Sequence, residues 1–273
     1  MGIFRGVAVC LLVASGVAWG ETSRHGTAIL WINDAQEIVI AADSKVIPST
    51  SVVRGDGTVV PIARAATYDA CKLRAMGRTV VGVAGTVGVS GITSVLDLDM
   101  KEIARAQSRE ELVAGIAAWL KRVEKPYEQA IEDDPKGFAE SNQRNRNGVF
   151  LQATFVLFDW KGELLHYTSE ASYAPGVGIR VHTNAVEGEG FGGVGEMKPL
   201  QTGSDGRVKT EINTLLLSAK TTEERTAALK KTIGSIAAGS EAVGGHVDVV
   251  QVTKDGIVPV DVKAGCARYF VGR

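Results

Sequence analysis

Short apolar runs recur along the chain after residue 26. They predict strands, because their length and their content of β-branched residues suit a pleated, half-buried surface. The runs Thr27–Ile32 and Glu37–Ala42 are separated by the turn Asn33-Asp34, so they predict an antiparallel hairpin. A second hairpin is predicted across Asp255-Gly256 near the end of the chain. The further predicted strands are Thr79–Ala84, Phe150–Phe158, Glu163–Tyr167, Gly178–His182, Val247–Val252 and Ile257–Val262.

Helical periodicity occurs twice between these sets of strands. Apolar residues from Leu112 to Val123 repeat at helical spacing, which predicts a helix over Arg109–Ile131. The polar stretch Asp133–Asn147 carries proline, glycine and several asparagines, so it is predicted to be a loop. The other predicted helices are Val89–Ala106, Lys209–Ala219 and Glu223–Ile236.

The order of the predicted elements indicates the fold class. Strands come first, followed by two helices, strands, two helices and a final set of strands. Hairpin-linked strands predict antiparallel sheets, and helices grouped between sets of strands predict helical layers that cover the sheets from outside. We therefore expect an α+β fold of the four-layer αββα type over residues 27–273, with two stacked antiparallel sheets between two helical layers.

The first twenty residues have the pattern of a secretory signal peptide. Arg5 supplies a positive charge, an apolar run follows from Val7 to Ala18, and Gly20 is a small residue at a position that suits signal peptidase. A buried N-terminal helix or a short anchor is the alternative. We expect residues 1–20 to be removed and the mature protein to be secreted or periplasmic, with no membrane segment.

Charge and motif patterns exclude several classes of function. The net charge of -1 lacks the basic surplus that nucleic-acid binding requires. Residues 188–193 match GxGxxG, but no βαβ pattern surrounds them, so a dinucleotide site is not expected. The 4 histidines show no metal-binding spacing. We expect no metal and no cofactor.

Two cysteines, Cys71 and Cys266, remain after the predicted signal peptide. In an oxidising compartment they could form a disulfide, whereas two buried thiols are the alternative. We expect separate thiols, because Cys71 precedes a predicted strand and Cys266 lies in the C-terminal tail.

Three polar residues are predicted to meet at one edge of the first hairpin. Thr27 opens its first strand and Asp43 follows its second, so the short turn brings the two side by side. Lys72 precedes the strand Thr79–Ala84 and can reach the same edge. The segment 46–70, irregular or hairpin-like, is expected to project beside Thr27 and to narrow the cleft, which favours short peptides over folded proteins.

The motifs around these residues resemble those of proteasome β-subunits, which are N-terminal-nucleophile hydrolases. His25-Gly26-Thr27 resembles the propeptide junction of that family, and Ala41-Ala42-Asp43 resembles its Ala-Ala-Asp motif. Cys71-Lys72-Leu73 and Val83-Ala84-Gly85 resemble its Lys-Leu and Ala-Gly motifs. Gly244-Gly245-His246-Val247-Asp248 resembles the start of its C-terminal strand pair. The blocks occur in the family's order and cover nearly all of the chain after residue 26.

The resemblance implies roles for four residues. Thr27 would be the nucleophile once the chain is cut before it, with its own α-amine as the base, and residues 21–26 would be a propeptide. Lys72 would lower the pKa of the attacking group, and Asp43 would orient Lys72. The backbone N–H of Gly85 would donate to the oxyanion.

The resemblance also implies a function: hydrolysis of peptide-like amides by a homo-oligomer, without a cofactor. Two motifs depart from the family. Its Asp-x-x-Ser-Gly-Gly reads Ser240-Glu241-Ala242-Val243-Gly244-Gly245, and its Gly-Ser-Gly is matched to Gly190-Phe191-Gly192. The missing acid and serine leave a second hypothesis, a catalytically silent assembly or binding module with the same fold. A third hypothesis is an unrelated secreted α+β binding protein.

Overall fold

The computed structural model has an α+β fold whose strands form two antiparallel sheets, as the element order predicts. The predicted signal segment 1–20 lies almost entirely outside the part of the chain that is described. The described residues are 19–25, 27–53, 59–63, 65–88, 94–142, 148–197 and 207–270.

The smaller sheet contains the hairpin predicted at the start of the domain. Its strands are β2 (Ala28–Asn33), β3 (Glu37–Asp43), β11 (Gly190–Gly195), β12 (Val247–Thr253) and β13 (Gly256–Asp261). They lie in the order β11-β2-β3-β12-β13. Because β2 and β3 are central, nearly all of their side chains are buried. Ile29 lies opposite Ala42, so the start of β2 is next to the end of β3.

The larger sheet has eight strands, in the order β10-β9-β8-β7-β1-β4-β5, with β6 also paired to β7. β4 and β5 form a hairpin within the segment 46–70. β1 lies inside the sheet between β7 and β4, although no apolar pattern predicts it. The strands are β1 (Trp19–His25), β4 (Ile47–Val53), β5 (Val59–Ala63), β6 (Leu73–Met76), β7 (Thr79–Gly88), β8 (Val149–Phe158), β9 (Leu164–Ala174) and β10 (Gly178–Ala185).

Side-chain caps begin the two longest helices. The Ser108 hydroxyl accepts a hydrogen bond from the backbone N–H of Glu111 at 3.2 Å, and Thr221 forms a capping box with Glu224. None of the described helices is long and apolar enough to cross a membrane. The helices are α1 (Lys101–Arg105), α2 (Arg109–Asp133), α3 (Pro135–Asn142), α4 (Arg207–Ser218), α5 (Thr222–Ala238) and α6 (Ala264–Ala267).

The predicted helix Val89–Ala106 is wrong within its described part, residues 94–106. That part holds a 3-10 turn at Val95–Asp97 and the short helix α1. The Asp99 carboxylate accepts a hydrogen bond at 3.0 Å from the backbone N–H of Lys101, which is the first residue of α1.

The predicted loop Asp133–Asn147 is also wrong within its described part, residues 133–142, because α3 occupies most of that part. Residues 143–147 lie outside the described residues. Pro135 begins this helix, where a missing N–H costs nothing. The Phe138 ring is buried and packs against the rings of Tyr127 and Phe150, with centroids 6.2 and 5.4 Å away. This aromatic contact stabilises a helix that its polar residues do not predict.

Three clusters of buried side chains join these elements. One contains residues of both sheets, such as Ile40 of β3 and Val156 of β8. The second joins α1, α2 and α3 to the larger sheet, where the rings of Trp119 and Phe155 lie 5.5 Å apart. The third joins α4 and α5 to the smaller sheet through residues such as Ile233.

Candidate active site

Thr27 lies where the chain passes from the larger sheet into the smaller sheet. β1 ends at His25 and β2 begins at Ala28, while Gly26 is outside the described residues. The Thr27 side chain is buried, and its hydroxyl has no hydrogen-bond partner in the described part of the chain. The Thr27 carbonyl accepts a hydrogen bond from the N–H of Glu196 at 2.7 Å. Since an unpartnered buried hydroxyl costs free energy, this group is a candidate for chemistry.

Asp43 ends β3 and is fully buried beside the start of β2. Its Oδ1 accepts hydrogen bonds from the Ala28 N–H at 3.0 Å and from Lys72 Nζ at 2.9 Å. Its Oδ2 accepts from the N–H groups of Lys45 at 3.2 Å and Gly244 at 3.0 Å. Four donors therefore fix the carboxylate and attach it both to the residue after Thr27 and to Lys72.

The Lys72 side chain is only 3% exposed and forms an ion pair with Asp43. Burial lowers the pKa of its ammonium from 10.5 to about 8, although the attraction of Asp43 opposes this change. The positive charge of Lys263 lowers the pKa further. Near neutral pH, an amine with this pKa can both accept and release a proton.

Lys263 supports the chain just before Lys72. Its Nζ donates hydrogen bonds to the carbonyls of Tyr68 at 3.2 Å and Ala70 at 2.7 Å. Its backbone N–H donates to the buried Asp248 carboxylate at 2.9 Å. The C-terminal segment thus holds the residues that lead into Lys72.

Cys71 and Cys266 form a disulfide with their Cα atoms 5.5 Å apart, so the expectation of separate thiols is wrong. The tail returns beside β6: the N–H of Ala75 donates to the Tyr269 carbonyl at 3.3 Å, and the Arg74 guanidinium lies 4.3 Å from the Tyr269 ring centroid. This long-range packing could not be read from positions 195 residues apart. The disulfide fixes the residue immediately before Lys72.

Two glycines adjoin Thr27 at positions where a side chain does not fit. Gly85 of β7 has a φ of +99°, lies opposite His25 of β1, and a Cβ there would be 2.3 Å from the Phe150 carbonyl oxygen. Gly195 of β11 has a φ of +97°, and its Cβ would be 1.8 Å from the Thr27 carbonyl oxygen. The backbone can therefore approach this region closely only because both residues are glycine.

The structure places Gly190-Phe191-Gly192, which the resemblance matches to the family's Gly-Ser-Gly, away from Thr27. Those residues pair with 31–33, at the end of β2 far from Thr27. Gly193-Val194-Gly195 lies at the near end instead, opposite 28–30. The sequence alone does not fix which glycines of residues 188–195 lie next to Thr27, because glycine recurs at several positions there.

Ser240 and Glu241 show no hydrogen bond to Thr27 or Asp43 in the described part of the chain. The Ser240 hydroxyl accepts a hydrogen bond from the Ala242 N–H at 3.2 Å, and Glu241 is exposed. Gly244 does contribute: besides its bond to Asp43, its carbonyl accepts from the Lys45 N–H at 2.9 Å. The distal motif therefore fixes Asp43 through its backbone.

The hairpin β4–β5 lies beside the Thr27 end of the larger sheet, where the segment 46–70 was predicted to project. Ile47 of β4 lies opposite Arg24 of β1, three residues before Thr27. Cleft narrowing and a preference for short peptides remain predictions.

A buried histidine and a cavity lie outside the group formed by Thr27, Asp43 and Lys72. Burial lowers the pKa of His166 to about 3, so the ring is neutral, and its Nε2 lies 2.9 Å from the Thr154 hydroxyl. A cavity of about 450 Å³ is lined by Glu37 and Lys254, among others, at the end of β3 opposite Asp43. Among the described residues, no group of three or more His, Cys, Asp or Glu side chains could hold a metal ion.

No protein-family model matches the chain, and no curated protein matches it. Thr27, Asp43, Lys72 and Gly85 therefore point to a function through their geometry and through the resemblance of their motifs. The ionisable pair beside Thr27 is almost fully buried, whereas Glu241 of the distal motif is exposed.

Proposed function

We propose that this protein is an N-terminal threonine amidohydrolase of the proteasome β-subunit type, with the αββα layer order of that family. The observation that carries the proposal is the buried Thr27 hydroxyl, which has no partner among the described residues and lies next to the Asp43–Lys72 ion pair. A threonine used only for packing has no need of a buried lysine and acid nearby. The core clusters support the layer order, since one contains both sheets and the other two join helices to a single sheet each.

Cleavage of the Gly26–Thr27 bond is the first reaction in this proposal. The Thr27 hydroxyl attacks the Gly26 carbonyl carbon, the C–N bond breaks, and the nitrogen takes a proton to become a free α-amine. Water then hydrolyses the ester, which restores the hydroxyl and releases the segment ending at Gly26 as a carboxylic acid. The neutral fraction of Lys72 can accept the hydroxyl proton, because its pKa is about 8.

Hydrolysis of peptide-like amides follows in the processed chain. The free α-amine takes the Thr27 hydroxyl proton as the oxygen attacks the substrate carbonyl, and the amine product leaves with a proton. Water then hydrolyses the ester on Thr27, which releases the acid product and restores the hydroxyl. Lys72, oriented by Asp43, stabilises the attacking oxygen by its charge. The Gly85 N–H is the proposed donor to the oxyanion, since its strand pairs with the residue two positions before Thr27.

A catalytically silent module is the second candidate, and a specific observation favours it. Val194 lies in the glycine segment beside Thr27 and carries no hydroxyl, and Glu241 is exposed. The α-amine would then lack two of the family's supporting groups. Export and assembly into a homo-oligomer are compatible with either candidate.

Mass spectrometry of the purified full-length chain and its variants tests the proposal. Wild type should begin at Thr27 and hydrolyse peptide amides. Thr27→Ala should keep residues 21–26 attached and hydrolyse nothing, because the attacking oxygen is gone. The matched control Thr27→Ser keeps a hydroxyl and should still process. A folded wild-type chain that stably begins at Glu21 would leave only the silent module.

A further inference from the structure

β1 occupies an internal position in the larger sheet, although it precedes the proposed cleavage point. On one side it pairs with β7, where His25 lies opposite Gly85 and Arg24 opposite Thr86. On the other side it pairs with β4, where Arg24 lies opposite Ile47. Once the chain is cut before Thr27, only non-covalent contacts retain this strand.

The two neighbours of β1 cover different lengths of it. Pairing with β7 stops at Ser23, the fourth residue before the proposed cleavage point, where β7 itself ends. Pairing with β4 continues, with Thr22 opposite Ser49 and, across an irregularity in the register, Trp19 opposite Ser51. Trp19 belongs to the segment expected to be removed as a signal peptide, so its pairing marks where the eighth residue of a longer peptide would lie. In the described part of the sheet, the fifth and the eighth residues before the cut are therefore paired with the hairpin alone.

We propose that the β4–β5 hairpin is a substrate-binding element that selects for peptide length. After self-cleavage, an extended peptide takes the place of β1 between β7 and β4. The fifth to eighth residues of this peptide, counted back from the scissile bond, are held by β4. This proposal rests on the proposed threonine hydrolase. It makes the preferred substrate an extended segment with about eight residues before the cut, rather than a single amino-acid amide.

The physical basis is the pair of sheet edges that release of β1 would uncover. Neighbouring strands lie about 4.8 Å apart, so β7 and β4 would face each other across the width of one extended chain. Their unpaired N–H and C=O groups need partners, and a peptide backbone supplies them regardless of its side chains. The hairpin extends this ladder beyond the end of β7.

Peptide amides taken from the chain's own sequence give the sharpest test. Coumarin amides of residues 23–26, 22–26 and 19–26 have four, five and eight residues before the cut. With the self-processed wild type, kcat/KM should rise by about tenfold from four to eight residues, as one or two net ladder hydrogen bonds would give. An eight-residue peptide with N-methyl groups on its first four amides should fall back to the four-residue value, without any change to the protein.

A shortened hairpin separates the two parts of the ladder. Ser49 and Ala63 are paired, so replacing residues 50–62 with Asn-Gly closes a two-residue turn between them. This variant removes Ser51 but keeps Ser49. The gain from four to five residues should therefore persist, while the gain from five to eight should disappear.

The outcomes distinguish this proposal from the hydrolase itself. Equal kcat/KM for all three lengths, with hydrolysis that still requires Thr27, would overturn the role of the hairpin and leave the threonine hydrolase. A processed chain that hydrolyses nothing, yet binds a fluorescein-labelled eight-residue peptide more tightly than a four-residue one, would keep the peptide site and remove the hydrolase. A chain that never releases β1 refutes both.

Discussion

Replacing Lys72 with methionine should change how the stability of the protein depends on pH. The side chain is 3% exposed, and burial lowers its pKa from 10.5 to about 8. Between these two values the unfolded chain binds more protons at Lys72 than the folded chain does. The free energy of unfolding should therefore rise with pH across this window.

The size of the effect follows from the two pKa values. The two pKa values differ by about 2.5, and one pKa unit corresponds to about 1.4 kcal/mol. The deprotonation of Lys72 should therefore raise the free energy of unfolding by about 3 kcal/mol between pH 8 and 10.5. The contribution is complete above pH 10.5 and is lost as the pH falls through about 8. Methionine has a similar volume and no charge, so it removes the titration while largely keeping the packing.

The assay is urea unfolding from pH 7 to 11 in a Thr27→Ala background, in which no chain is processed. The free energy of unfolding of the parent should rise by about 3 kcal/mol more than that of Lys72→Met over this range, because groups that do not contact Lys72 contribute equally to both chains. Lys121→Met serves as a control for the loss of one lysine, since Lys121 is exposed on α2. Parallel curves for the parent and Lys72→Met would show that the buried amine keeps its ordinary pKa and would refute the reasoning.

Two further predictions concern the disulfide and the glycines. Replacing both Cys71 and Cys266 with serine should lower the free energy of unfolding by about 2–5 kcal/mol, because the crosslink joins positions far apart in the chain. A reductant should destabilise the parent equally and the double variant no further. Gly195→Ala should block processing and lower Tm strongly, because its Cβ would be 1.8 Å from the Thr27 carbonyl oxygen. Gly176→Ala has a positive φ but nothing within 4 Å, so it should cost only about 1–2 kcal/mol and process normally, as mass spectrometry would show.

The core of the fold and the meeting of Thr27 with Asp43 follow from local sequence signals. β2 and β3 are continuous apolar runs joined by a short turn. In such a hairpin the start of the first strand lies next to the end of the second. The helix α2 follows from its apolar spacing and its Ser108 cap. These features depend on residues that are close in the sequence, which is why a single sequence predicts them.

The features that the sequence does not predict depend on contacts between residues far apart in the chain. Residues 19–25 are mostly polar and have no strand pattern, yet β7 and β4 supply hydrogen bonds on both sides of them. The pairing of Cys71 with Cys266 requires the tail to pack along β6, which no local pattern encodes. Gly195 was indistinguishable from neighbouring glycines until its strand was aligned with β2.

The same long-range contacts determine when the site is complete. Asp43 receives one of its four hydrogen bonds from Gly244, 201 residues later, and this bond forms beside the pairing of Asp43 with Val247 of β12. Lys72 is held by a tail that follows β12 and β13. Under the proposed function, the Asp43–Lys72 ion pair is therefore in place beside Thr27 only after the C-terminal strands have joined the smaller sheet. Self-cleavage should then report that the whole domain has folded, and chains truncated before Gly244 should stay unprocessed.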